Sequence, residues 1–71
     1  MQGGEKLKNN LVKLRAKHDL TQDKLAELLK VSRQTIISIE KERYTPSLNL
    51  AFKLSHLFNC EIKEIFFYKE E

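Results

Sequence analysis

Leu7, Leu11 and Leu14 are spaced by four and then three residues, the repeat of one face of an α-helix. They predict a first helix over about 5–18, whose other face is basic. A second apolar set, Leu25, Leu28 and Leu29, follows Thr21, a good N-cap, and Asp23, whose carboxylate suits the positive end of a helix dipole. That predicts a second helix over about 22–29. Ser32 can cap again only three residues later, which forces a tight turn through Lys30 and Val31 into a third helix over about 33–41. Two short helices joined so closely must cross rather than run antiparallel. Pro46 marks a loop, Ser47 can cap a fourth helix over about 48–58, and Asn59 suits a left-handed stop. The segment "EIKEIFF" predicts a last helix over about 61–66. Apolar residues recur almost nowhere at strand spacing. The expectation is an all-α domain of five short helices, without internal repeat or linker, spanning 1–71 with its core in about 7–66.

The third helix raises a question of its own, because Ile36 and Ile37 are adjacent. Neighbouring helical positions lie about 100° apart, so both cannot face one small core. Ile36 and Ile39, closed by Val31 from the turn, form the inward side. Arg33, Gln34, Ile37, Ser38 and Lys41 then share the outward side. A guanidinium, an amide, an apolar side chain and a hydroxyl are the groups that read base edges in a major groove. Arg pairs with guanine, Gln with adenine, and apolar carbon meets the thymine methyl. Ile37 is the candidate for the methyl contact.

The fourth helix has more apolar residues than one face can use. Leu48, Ala51, Phe52, Ser55 and Phe58 make one stripe, Leu50, Leu54 and Leu57 another, and "IFFY" adds to the surplus. In so short a chain this predicts a self-association surface, with Leu50, Leu54, Leu57 and Phe67 at a homodimer interface.

Composition narrows the class. A chain of 71 residues forms one domain with a barely sufficient core. Net charge is only +3, but residues 1–44 carry 10 Lys and Arg against 6 Asp and Glu, while residues 45–71 carry 3 against 4. A basic N-terminal part suits a surface that meets phosphates. The single cysteine, Cys60, cannot form an intrachain disulfide, and with His18 and His56 it is too scattered for a metal site. All three are read as structural. With no apolar run long enough to span a bilayer and no signal peptide, the expected location is the cytoplasm, away from membranes. There is no Gly-rich phosphate loop, paired carboxylate or nucleophile with its base. The expectation is therefore a non-enzyme without cofactor or small-molecule ligand. RNA is disfavoured for want of exposed aromatic platforms.

Several motifs in order, "LR" in the first helix, "LTQDKLA" opening the second, "VSRQTI" at the turn, "IEK" and "PSL", resemble the helix-turn-helix of Xre/Cro and lambda-repressor-like transcriptional regulators. The resemblance covers about residues 7–66. It implies a compact five-helix DNA-binding domain and a regulator, a repressor by expectation, that binds double-stranded DNA at an inverted-repeat operator. It places Arg33, Gln34, Ile37 and Ser38 against the bases. Gln22 falls where the family touches a phosphate and buttresses the recognition helix, while Lys41, Arg43 and Tyr44 line a second backbone contact. Lys30 stands where the family usually has glycine, a substitution costing up to about 1 kcal/mol in a left-handed turn. A phosphate contact is its expected compensation, and Ser32 beside it joins the phosphate set. Glu42 also replaces a common glycine, and its charge is expected to point away from DNA. Arg15 and Glu40 match positions where the family joins its first and third helices by an ion pair. The alternative is an antitoxin-like or adaptor module that holds another protein with its apolar C-terminal half.

Overall fold

The computed structural model describes residues 6–69. The chain forms a strand β1 (Leu7–Asn9), then helices α1 (Leu11–Lys17), α2 (Gln22–Leu29), α3 (Arg33–Glu40), α4 (Leu48–Phe58) and α5 (Ile62–Ile65), and a closing strand β2 (Phe66–Tyr68). The five helices stand in the predicted order, and α2, α3 and α4 lie within one residue of their predicted bounds. Local chemistry explains that agreement. Thr21 Oγ1 accepts from the Lys24 N–H at 3.0 Å, Ser32 Oγ from Thr35 at 3.2 Å and Ser47 Oγ from Leu50 at 3.1 Å. The caps at Thr21 and Ser47 satisfy first-turn donors that would otherwise lack a partner, while the Thr35 N–H is shared between Ser32 Oγ and the Ser32 carbonyl at 3.1 Å; a cap contributes about 1 kcal/mol. Lys30 at φ 60° and Asn59 at φ 52° end α2 and α4 in the left-handed conformation.

The chain ends differ from expectation. β1 and β2 pair antiparallel, with Leu7 opposite Tyr68, Lys8 opposite Phe67 and Asn9 opposite Phe66. Leu7 thus belongs to a strand and α1 begins only at Leu11, not near residue 5. Phe66, predicted in the last helix, opens β2. The pair is seated on the core, because Phe66 is buried and Leu7 packs against the same cluster. Entry into α1 runs through Asn9, whose Oδ1 accepts from the Leu11 N–H at 3.0 Å.

Leu11, Leu25, Leu29, Ile36, Ile39, Leu54, Phe58 and Ile65 form the buried centre. α4 contributes Leu50, Ala51, Leu54 and Phe58 to it, so the inward face draws on both predicted stripes. Leu50 is 6% exposed and Leu54 0%. These two cannot serve a dimer interface as predicted, because they already fill the interior. Leu57 is half-buried against the core, and Phe67 is exposed. The exposed large apolar side chains are Val12, Leu28, Tyr44, Leu48, Phe52, Phe67 and Tyr68, of which Leu28 and Phe52 line one groove. Exposed aromatics therefore exist, contrary to the sequence expectation.

Candidate nucleic-acid interface

α3 is held at both ends and along one side. Its start is fixed by the Ser32 cap, and Ile36 and Ile39 bury its inner face. Near its end, Glu40 collects three donors: Arg15 Nε at 2.6 Å and Nη2 at 3.3 Å, and Gln22 Nε2 at 2.8 Å. Arg15 also donates from Nη1 to the Leu20 carbonyl at 3.0 Å. Both carboxylate oxygens are occupied, and the Arg15 and Glu40 side chains are only 17% and 7% exposed. Charge-assisted forks of this kind are directional, so the network fixes the rotation of α3 relative to α1 and α2. The predicted Arg15–Glu40 pair is present, and the predicted buttress, Gln22, shares its carboxylate. Asn9 adds a further tie, its Nδ2 donating to the Ile39 carbonyl at 2.9 Å. The same amide thus joins the start of α1 to the end of α3.

Arg33 and Gln34 are exposed at the start of α3, and Ile37 and Ser38 are half-buried one turn on. Lys41, Arg43 and Tyr44 follow, all exposed, and Lys30 and Ser32 are exposed in the turn. One strip therefore carries hydrogen-bond donors, an amide, a hydroxyl and an apolar side chain. Glu42, at φ 62°, turns its carboxylate toward β1, 3.6 Å from Lys8 Nζ and 4.0 Å from Lys6 Nζ. Its charge is offset by these two lysines, which leaves Lys41 and Arg43 as the local positive groups.

A family model described as helix-turn-helix matches residues 11–65. The chain belongs to the Xre/Cro-like helix-turn-helix family of DNA-binding transcriptional regulators. An uncharacterized HTH-type transcriptional regulator of Methanocaldococcus jannaschii is 54% identical over 65 residues, covering 92% of this chain and 98% of that protein. One from Bacillus subtilis, YgzD, is 42% identical over the same shares of both chains. Among solved structures, the transcriptional regulator VanUg matches at a TM-score of 0.79 and 25% identity, over 99% of this chain and 93% of that one. A Bacteroides fragilis protein gives 0.76 at 24% identity, over 86% and 98%, a likeness that shows the fold alone.

Within this helix-turn-helix, α2 and α3 are the paired helices, and the left-handed Lys30 makes the turn that glycine usually makes. Three features escape the sequence pattern. Periodicity puts Asn9 inside a helix, although two consecutive asparagines are poor helix formers and could have flagged the boundary. The Lys8–Glu42 contact depends on a strand too short to foresee. Asp23, a dipole partner by sequence, also lies 3.5 Å from Arg33 across the turn. His18 packs against Phe58 with the rings tilted at 58° and their centroids 5.0 Å apart. Burial, aided by Glu64 and opposed by Lys17, pushes the Cys60 thiol up. Both fit structural roles. Among the described residues no His, Cys, Asp and Glu cluster could hold a metal, and no helix is long and apolar enough to cross a membrane.

Proposed function

We propose that this chain is a sequence-specific repressor that binds an inverted-repeat operator as a homodimer and reads the major groove with α3. The observation that carries the reading is the outward strip of α3, with Arg33 and Gln34 exposed, Ile37 and Ser38 half-buried, and α3 locked behind them. Arg33 and Gln34 suit bidentate contacts to guanine and adenine, Ser38 a single hydrogen bond, and Ile37 a thymine methyl. Gln22, Lys30, Ser32, Lys41, Arg43 and Tyr44 flank that strip and fit the two phosphate backbones bordering the groove. Glu40 reads no base; it holds the helix that does. The uncovered apolar residues Leu48, Phe52, Phe67 and Tyr68 support self-association. They favour equally an adaptor role for the same residues, which a partner retained from the native cell would identify.

Selection of bound duplexes from random DNA at two salt concentrations, with sedimentation of the pure protein, tests the proposal. Inverted repeats with half-site centres roughly 34 Å apart, bound by a dimer, are expected. A single half-site bound by a monomer overturns the dimer, and binding without sequence preference overturns the recognition role.

A further inference from the structure

We propose that Asp23 is a specificity-determining residue: its carboxylate orients Arg33 so that the end of the guanidinium faces the groove. The inference rests on the assignment of Arg33 to base reading and adds the residue that aims it. Asp23 sits in the first turn of α2 and Arg33 is the first residue of α3, so the crossing of the two helices brings these positions together. Asp23 Oδ1 lies 3.5 Å from Arg33 Nε.

The atom approached matters. A guanidinium can present a bidentate fork along its side, from Nε and one terminal nitrogen, or across its end, from both terminal nitrogens. A carboxylate beside Nε engages the side of the fork and leaves the two terminal nitrogens parallel and free, the pair that matches guanine O6 and N7. Arg33 and Asp23 are 60% and 78% exposed, so the pairing adds little to folding. Its effect lies in restricting a long side chain before DNA arrives, which lowers the ordering cost of binding. Asp23 is also a negative charge near a surface meant for phosphates. It should therefore weaken binding to unrelated DNA while favouring the site that Arg33 reads, a combination that a helix-dipole role alone does not produce.

The experiment is a double-mutant cycle of the full chain: wild type, Asp23→Asn, Arg33→Ala and both together. Each protein is titrated with the duplex selected from random DNA, with the same duplex carrying adenine in place of guanine at the position Arg33 reads, and with an unrelated duplex. Asn keeps the size of the side chain and the Thr21 cap. With Arg33 present, Asp23→Asn is expected to lower the preference for guanine by about 1.5- to 5-fold, the range set by exposed ion pairs. Affinity for the unrelated duplex should stay level or rise. In the Arg33→Ala background the same change should leave guanine preference unaltered. The proposal is overturned if Asp23→Asn weakens all three duplexes equally, if guanine preference does not move, or if it moves as much without Arg33. Should Arg33→Ala itself leave every base preference intact, the assignment of Arg33 fails first and this inference falls with it.

Discussion

Around α3, Arg15, Gln22 and Asn9 converge with directed hydrogen bonds of 2.6, 2.8 and 2.9 Å, whereas α4 is seated by Leu50, Ala51, Leu54 and Phe58. Among the described residues no α4 side chain hydrogen-bonds to another element. Apolar burial is non-directional; it decides that α4 lies on the core but tolerates small rotations. If α3 reads base edges as proposed, it cannot tolerate them, and the polar ties supply the missing direction. On the proposed reading the apolar contacts of α4 carry stability alone, whereas the polar ties of α3 carry aim as well, and substitutions should separate the two.

The largest effect belongs to the apolar side. Leu54→Ala removes a fully buried side chain and should cost about 3 to 4 kcal/mol of stability, seen as a lower midpoint in thermal or urea unfolding. Phe52→Ala, on the exposed side of the same helix, should change stability by less than about 0.5 kcal/mol. Leu54→Ala, measured well below its melting point, should leave base preference intact. A rewritten preference would show that α4 also aims α3.

Next comes the network. Glu40→Gln leaves Arg15 half-satisfied in a nearly buried position and should cost about 2 to 3 kcal/mol. Unlike Leu54→Ala, it should also loosen DNA affinity at temperatures where the protein is fully folded. Unchanged melting together with unchanged affinity would mean that the pair is idle.

How much of this division is legible in the sequence follows from the same physics. Thr21, Ser32 and Ser47 announce their helices because a cap is a local event written in one residue. The Arg15–Glu40 pair follows from the family resemblance, and the outward strip of α3 from periodicity. Periodicity misassigns the faces of α4 because apolar residues occur nearly all round that helix, and period alone cannot then choose a side. β1 and β2 stay invisible because three residues show no alternation, and their pairing joins positions near opposite ends of the chain. The role of Asn9 is hidden with them.

Smaller effects separate reading from holding within the strip. Arg33→Ala or Gln34→Ala should each remove roughly 1 to 3 kcal/mol of discrimination at one or two positions per half-site, with melting nearly unchanged since both are exposed. Lys41→Ala or Arg43→Ala should instead weaken all sequences alike and reduce the salt-dependence slope by about one unit for each phosphate no longer neutralised. If Lys41→Ala rewrites base preference, α3 sits in the groove with a different side turned to the bases.

The smallest expected effect is at Ile37, and a change in the DNA isolates it better than a change in the protein. Ile37 is half-buried, so Ile37→Ala alters contacts within the protein as well as the DNA surface, and a bare loss of affinity would be ambiguous. Replacing thymine with uracil in the selected site deletes only the C5 methyl and leaves every hydrogen-bonding group in place. If Ile37 covers that methyl, the wild-type protein should lose about 0.8 kcal/mol at one position per half-site, the value of one buried methyl-sized group. The Ile37→Ala protein should bind the thymine and uracil duplexes equally at that position. Equal losses in both proteins would place another side chain on the methyl, and no loss in either would leave Ile37 as a half-buried surface residue.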